Sequence, residues 1–336
     1  DQFLDDAMST AMSLDSLKSS HPIDVKVNHP SEIRSIFDSI SYDKGGCILR
    51  MLEHFVGKKN FQNGLKKYLK KHQYSNAQGS DLWNAIGDVS KQPVAKMMKT
   101  WINQIGFPLV SVTRKNSTLL LKQSRFLLEE NESSKKGIWS IPLIIEEGNV
   151  SNKKLMIKKS ECVKLKNKDR NFILNPGRTG FYRVQYDNQT LENLSLLIDE
   201  KIIGYIDRWS IQNDYFAQIV SGKKNIQGYL DFVTSYYDED NYISSLSLGH
   251  NLYSLYILAN EEKFSDELKE YAANFLGTVI DRLGWDKKKG ESHTDSLLRS
   301  FAIVALGKLD DKEIISEAEL RFKKFLKNPD SLSADL

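Results

Sequence analysis

The spacing of apolar residues changes twice along this chain. From residue 1 to about residue 106, apolar side chains recur every three or four positions, which predicts amphipathic helices. Between residues 107 and 188 they fall in short runs separated by turn-forming residues, which predicts strands. The helical spacing then returns and holds to the end. We therefore predict a multidomain α+β protein with a helical part at 1–106, a β domain at 107–188 and the start of an all-α domain at 189–336.

The helical parts contain several well-defined segments. In the first part, a helix is predicted at the N-terminus, and three more are predicted at 31–55, 60–72 and 80–102. Gly57 is suited to end the helix at 31–55, and Ser80 with Asp81 is suited to start the helix at 80–102. The second part favours antiparallel helical hairpins, with segments at 191–198, 207–220, 226–237, 244–260, 265–283 and 295–306. No residue pattern recurs at the 30 to 50 residue spacing of repeat proteins.

The β domain is predicted from its apolar runs. Alternation in the last run places Phe181, Arg183 and Gln185 on one face, with Tyr182 and the residues in step with it on the other. So many short strands in about eighty residues indicate a small β-sandwich. The runs are 109–114, 117–128, 139–147, 153–159, 162–166, 171–175 and 180–187.

The composition argues against several classes of function. The 336 residues carry 47 Lys and Arg against 44 Asp and Glu, a formal net charge of +3. This balance gives no strong field for nucleic acid or anionic membranes, so we expect neither as a partner. There is also no apolar run of the ~18 residues that a membrane span needs. Only two cysteines occur, Cys47 and Cys162, so no disulfide framework is predicted and a reducing cytoplasm fits best.

Generic catalytic motifs do not assign a function. None of the histidines forms the HExxH pair that places two imidazoles one helical turn apart on a metal. Glu291 and His293 are close in sequence, but they have no third ligand nearby, so we expect no metal site from them. The chain shows no GxSxG elbow, phosphate-binding glycine loop or CxxC pair. The histidines are His21, His29, His54, His72, His250 and His293.

One segment carries a specific resemblance. Residues 36–52 read Ile-Phe-Asp-Ser-Ile-Ser-Tyr-Asp-Lys-Gly-Gly-Cys-Ile-Leu-Arg-Met-Leu. They resemble the FDxISYxKGxxxLxML helix of the zinc aminopeptidases related to aminopeptidase N and puromycin-sensitive aminopeptidase. In that family the tyrosine of this motif hydrogen-bonds the oxyanion formed at the peptide carbonyl, so the resemblance implies that Tyr42 is catalytic. Without the motif, a tyrosine on a helix is by default a core or surface residue.

Further segments resemble the same family in the same order. They also read physically as structural, because Gly-Phe-Pro ends a helix and Asp207 with Arg208 heads one. In the segment that Asp207 and Arg208 begin, the family's usual leucine is replaced by Ile211. The segments are 74–77 with 81–83, 101–110, 123–126, 139–143, 175 with 180–187, 207–216, and 283–285 with Glu291, His293 and 297–299.

The resemblance implies a fold, a cofactor and a substrate class. Residues 1–106 would be the helical end of a thermolysin-like catalytic domain, followed by the β-sandwich and the helical domain. The substrates would be short peptides, and a larger protease would release them, as for archaeal tricorn-interacting aminopeptidases. The family's GxMEN loop, HExxH helix and downstream glutamate would precede residue 1. We therefore expect zinc to be bound in the parent enzyme by residues absent from this chain.

A second hypothesis stays open at this stage. A chain without metal ligands could act as a non-catalytic binding or scaffold module, with its helical part docking a partner or peptide. The two hypotheses are separated by whether the coding sequence before Asp1 contains HExxH with a glutamate about twenty residues further on. The sequence identifies no residues of a substrate pocket.

Overall fold

A computed structural model describes residues 2–129, 137–166 and 171–333. The chain combines helices with two small sheets, as the hydrophobic pattern predicts. It divides into two compact units, one up to Phe232 and one from Val233 onward. The domain boundaries predicted at 106/107 and 188/189 stay predictions. Across the described ranges, no helix combines the length and apolar character needed to cross a bilayer.

The first unit opens with short helical elements. A π-helical segment, Phe3–Met8, runs into α1, and it buries Leu4 and Met8 as the apolar spacing predicts. A 3-10 segment at Pro30–Ile36 and a π-helical segment at Ile40–Lys44 follow, and the second of these leads directly into α2. The α-helices of this part are α1 (Ser9–Asp15), α2 (Gly45–Val56), α3 (Lys58–His72), α4 (Gly79–Ser90) and α5 (Val94–Ile102).

Two of the predicted helices are interrupted. The predicted helix at 31–55 breaks at Phe37, whose φ of −85° and ψ of 72° are not helical. After it, the Asp38 carboxylate accepts backbone hydrogen bonds that would otherwise continue the helix. The predicted helix at 80–102 breaks because Lys91 is left-handed and Pro93 cannot donate a backbone hydrogen bond. Gly57, with a φ of +84°, ends α2 as predicted.

The strands lie where the apolar runs predict them. One sheet has the order β5-β2-β1-β7, and the other has the order β4-β3-β6. Neighbours are antiparallel except β1 and β7, which run parallel. The strands are β1 (Pro108–Lys115), β2 (Thr118–Arg125), β3 (Ile141–Glu147), β4 (Val150–Met156), β5 (Ser160–Lys164), β6 (Ile173–Leu174) and β7 (Arg183–Tyr186).

The outer edge of β7 is covered by side chains of a helix, α7 (Tyr205–Val220). The Val184 amide donates to Asp214 Oδ2 at 2.8 Å, and Gln218 Nε2 donates to the Val184 carbonyl at 3.2 Å. These bonds take the place of a further strand. Arg183 of the same strand is buried, and its Nη1 lies 2.8 Å from Asp214 Oδ1.

The remaining helices of the first unit are α6 (Asn188–Asp199) and α7, and α8 (Ile226–Val233) ends at the division between the units. In the second unit, α9 packs against α10 and α11. Gly249 allows this approach, because an added Cβ would lie 2.8 Å from the Phe301 ring. The last helix was not predicted as a separate segment. These helices are α9 (Tyr242–Leu258), α10 (Ser265–Leu283), α11 (His293–Lys308) and α12 (Lys312–Phe325).

Candidate functional site

Tyr42 lies in the π-helical turn at the start of α2. Its side chain is 61% exposed, whereas Tyr182 and Tyr186 of the β region are buried. The Tyr42 ring lies 5.8 Å from the ring of Phe37, which is also exposed. The tyrosine predicted to be catalytic is therefore on the surface of the described chain and has no packing role in its core. Single π-helical turns of this kind are frequent at functional sites.

Asp38 fixes the start of this turn. Its Oδ1 accepts hydrogen bonds from the backbone amides of Ile40 and Ser41, both at 3.0 Å. Its backbone carbonyl accepts from the Tyr42 amide at 3.1 Å. The first turn of a helix has amides without an internal partner, so a carboxylate at this position stabilises it. Asp38 thus holds the backbone of the turn that presents Tyr42.

His21 in turn holds Asp38. Its Nε2 lies 2.7 Å from Asp38 Oδ2, and its Nδ1 lies 2.8 Å from the Pro22 carbonyl oxygen. Burial alone would lower the pKa of His21, but the hydrogen bonds to Pro22 and Asp38 outweigh it, and the pKa is raised. Burial alone would raise the pKa of Asp38, but the amide of Ser41 and the imidazole of His21 outweigh it, and the pKa of that carboxyl is lowered.

A buried ion pair anchors the other end of the turn. Lys44 Nζ lies 2.8 Å from Asp15 Oδ2, and both side chains are fully buried. Asp15 Oδ1 accepts from the Gly106 amide at 2.9 Å and from Ser20 Oγ at 2.6 Å, while Lys44 Nζ donates to the Gly106 carbonyl at 3.2 Å. Burial lowers the pKa of Lys44 despite the neighbouring carboxylate. The pair therefore connects α1, the turn at Ile40–Lys44 that carries Tyr42 (the Tyr42 turn) and the end of the helical part.

Gly106 is required at this junction. Its φ is +85°, and a Cβ on it would lie 2.3 Å from Arg125 Nε. The next residue, Phe107, packs against the rings of Phe126 and Phe181 at 5.5 and 5.4 Å. The Gly-Phe-Pro string therefore joins the Lys44 pair to the core of the first sheet, in agreement with its structural interpretation.

Along the same helix, Arg50 connects α2 to a buried charge cluster. Its guanidinium donates to the carbonyls of Arg178 and Gly177 at 2.6 and 3.0 Å. The Arg178 guanidinium is itself buried against Asp214 Oδ2 at 2.6 Å, and Arg183 pairs with Asp214 Oδ1 at 2.8 Å. Burial lowers the pKa of Arg183 to about 10, although Asp214 raises it in part. The Tyr42 helix is thus braced from α7 as well as from α1.

Sequence reasoning missed most of this support. Asp38 and Lys44 belong to the motif around Tyr42 but have no role assigned by it, and His21 lies outside every motif. Two signals were available. Asp38 is a capping residue type inside the predicted helix at 31–55, and Lys44 is a charge on the apolar side of that helix. His21 is brought to Asp38 only by the tertiary fold.

Glu291 has a structural role in the second unit. It forms an ion pair with Arg299, which also donates to the carbonyls of Gly284 and Leu283 at 2.8 and 3.3 Å. The hydrogen bond from Arg299 lowers the pKa of Glu291 to about 2. These contacts join the end of α10 to α11, so they explain the spacing of the Leu-Gly-Trp, Glu-x-His and Leu-Leu-Arg segments. Among the described residues, no group of three His, Cys, Asp or Glu side chains is placed to hold a metal ion.

Two family models match the chain. Residues 1–101 match the peptidase family M1 domain, and residues 171–336 match the ERAP1-like C-terminal domain. The first match contains the Tyr42 turn with the His21, Asp38 and Lys44 side chains that support it. The second begins just before β6 and continues through the helices.

Curated relatives match nearly the whole chain. Aminopeptidase M1-B of Oryza sativa subsp. japonica is 36% identical over 97% of this chain and 39% of its own length. Tricorn protease-interacting factor F2 of Thermoplasma acidophilum is 35% identical over 95% of this chain and 39% of its own length. Leucyl aminopeptidase of Saccharolobus solfataricus is 33% identical with the same coverage, 95% and 39%. The chain therefore spans about two fifths of the length of the curated relatives it matches.

Proposed function

Because this chain belongs to peptidase family M1, we propose that it serves in a zinc-dependent aminopeptidase that removes N-terminal residues from short peptides. In this proposal, residues 1–106 complete a thermolysin-like catalytic domain, and the two sheets form a β-sandwich that braces it. The helices from residue 189 onward help to restrict access to small peptides. Relatives named as aminopeptidases support the reaction class.

The observation that carries the proposal is the exposed Tyr42 side chain on a turn held at both ends. A phenol is neutral near pH 7 and can donate a hydrogen bond to a carbonyl oxygen as negative charge develops on it. Such a donor is effective only if it is held in place before the reaction, because then no reorganisation is needed in the transition state. Asp38 and Lys44 supply this rigidity at the two ends of the turn.

Zinc does not fit the residues described here, because they contain no suitable ligand cluster. We therefore propose that the metal of the enzyme is held by residues outside this chain. When bound, a zinc ion in this class of enzyme polarises the peptide carbonyl and activates the attacking water. The contribution of the present chain is the hydrogen bond from Tyr42 to the carbonyl oxygen.

Location and partners belong to the same proposal. Both cysteines are free, with Cys47 buried in α2 and Cys162 exposed, which agrees with a reducing cytoplasm. The names of the Thermoplasma relatives state that they interact with tricorn protease. On this basis, a larger protease that supplies peptides is the partner we propose to test after the peptides themselves.

The proposal is tested with Tyr42→Phe in the full-length protein that contains this chain. We expect kcat on an aminoacyl-anilide to fall by about 10²- to 10³-fold, as for removal of one oxyanion donor. KM should change little, because the bond forms mainly in the transition state. Tyr74→Phe is the matched control, since Tyr74 is fully exposed in the same unit.

Three results would contradict the proposal. Full activity of Tyr42→Phe would exclude the oxyanion role. Equal losses in the Tyr42→Phe and Tyr74→Phe variants would show that the loss of a surface phenol acts non-specifically. A preparation of the full-length protein that contains no zinc and releases no N-terminal residue would exclude the enzyme class altogether.

A further inference from the structure

His21 and Asp38 form a chain of hydrogen bonds that ends at the Tyr42 turn. Asp38 uses one carboxylate oxygen for the amides of Ile40 and Ser41 and the other for His21 Nε2. His21 uses its second nitrogen for the Pro22 carbonyl. The side chains are only partly exposed, 26% for His21 and 33% for Asp38. In the proposed reaction Asp38 holds the turn of Tyr42, but His21 has no role in it yet.

The geometry determines where the protons are. A backbone carbonyl and an ionised carboxylate are both acceptors only, so each His21 nitrogen that faces one of them must carry a hydrogen. His21 satisfies both contacts only as an imidazolium. The opposite directions of the two pKa changes, up for His21 and down for Asp38, agree with this charge pair.

Charged neighbours act on the protonation of His21. The charged groups that face His21 are Asp38, which favours the imidazolium, and Lys44, which opposes it. Lys44 is itself paired with Asp15 on the buried side of the turn. For Asp38, burial raises the pKa, but the Ser41 amide and the His21 imidazole outweigh it. The protonation of His21 is therefore coupled mainly to the carboxylate that holds the Tyr42 turn.

We propose that Asp38 is a positioning residue for Tyr42 and that protonated His21 fixes the Asp38 carboxylate in the orientation that holds this turn. The inference rests on the proposed function of Tyr42. Loss of the His21 proton leaves one N–H for two acceptors, the Pro22 carbonyl and Asp38 Oδ2, and removes the charge that pairs with the carboxylate, so the hold on Asp38 weakens and the turn loosens. Catalysis should therefore decline as pH rises through the pKa of His21, with the effect in kcat and little change in KM.

Three substitutions distinguish the hydrogen bonds of Asp38 to the turn from its charge pair with His21. Asp38→Ala removes both the cap and the ion pair, whereas Asp38→Asn keeps an oxygen for the two amides but loses the charge. His21→Gln keeps a donor near the position of Nε2 but cannot titrate. Because neither side chain is fully buried, we expect all three variants to fold.

The decisive experiment is a double-mutant cycle in the full-length enzyme with an aminoacyl-anilide substrate. We expect Asp38→Ala to lower kcat about tenfold, since misplacement of a catalytic group by a fraction of an ångström has effects of this order. In a Tyr42→Phe background the same change should have no further effect on kcat, because the group it positions is already absent. A merely structural role for Asp38 would lower kcat equally in both backgrounds.

The pH profile provides the second readout. The decline of kcat at rising pH should be present in the wild type and absent in the Asp38→Asn and His21→Gln variants. Additive effects in the cycle, or a decline that persists in His21→Gln, would overturn the inference while leaving the function of Tyr42 intact. Full activity of Tyr42→Phe would overturn the proposed function and this inference together, so the two failures are distinguishable.

Discussion

The buried pair of Lys44 and Asp15 allows a quantitative test of what holds the Tyr42 turn. In Lys44→Met the aliphatic part of the side chain remains, but the Asp15 carboxylate loses its ion-pair partner inside the protein. Breaking a buried pair from one side typically costs ~3–5 kcal/mol, since the remaining charge is desolvated without compensation. Asp15 keeps hydrogen bonds from Gly106 and Ser20, and Arg125 is a second nearby cation. We therefore expect a loss near the lower limit, about 3 kcal/mol.

The assay is urea unfolding followed by tryptophan fluorescence, with the free energy of unfolding taken from the midpoint and slope. Lys67→Met is the matched control, because Lys67 and Asp88 lie at a similar distance of 2.7 Å but are both exposed. This control should have no measurable effect. Adding Asp15→Asn to Lys44→Met should recover at least half of the loss, since the stranded charge is removed while an oxygen acceptor remains. Equal stability of the Lys44→Met and Lys67→Met variants would refute the reasoning, as would a double variant no more stable than Lys44→Met.

Two further predictions concern single positions. Gly106→Ala should destabilise by about 1–3 kcal/mol, because it combines a positive φ with a clash against Arg125; Gly290→Ala, with a similar φ and open space, should cost less, and equal costs in urea unfolding would contradict the clash. Burial raises the pKa of Asp207 to about 6, from the ordinary value of 3.8, although the Gly177 amide opposes this change. The folded state therefore favours the protonated form, and stability should decline as pH rises from ~4 to ~6. Asp207→Asn should remove this decline in thermal melts across that range, and an unchanged profile would contradict the assignment.

The hydrophobic pattern was sufficient to locate most secondary structure. The seven strands of the described residues, the end of α2 at Gly57 and the helix that begins near Asp207 follow from the spacing of apolar residues and from capping residues. The two interrupted helices were missed for local reasons. A side chain at Asp38 competes for backbone amides, and the left-handed Lys91 precedes Pro93. Neither effect can be seen in the apolar periodicity, because the apolar spacing continues across both breaks.

The candidate site was only partly accessible from sequence. Tyr42 was identified from a motif, and the structure places it on the surface with its turn held at both ends, while its catalytic role stays a prediction. The residues that hold it come from separate parts of the chain. Pairings such as His21 with Asp38, or Asp15 with Lys44, depend on distances that the fold creates. Charges in an apolar stretch indicate that a partner is needed, but they do not identify it.

The covered edge of β7 has a consequence for how this protein can be divided. A β domain isolated at the predicted boundary after residue 188 would lose α7 and with it Asp214 and Gln218. Its last strand would then present unpaired backbone groups, and Arg178 and Arg183 would lose their common carboxylate. Such a piece would be prone to edge-to-edge association. The smallest portion of the sheets that can be expressed alone should therefore extend at least to Val220, so the folding unit crosses the boundary at which the sequence changes from strand to helix.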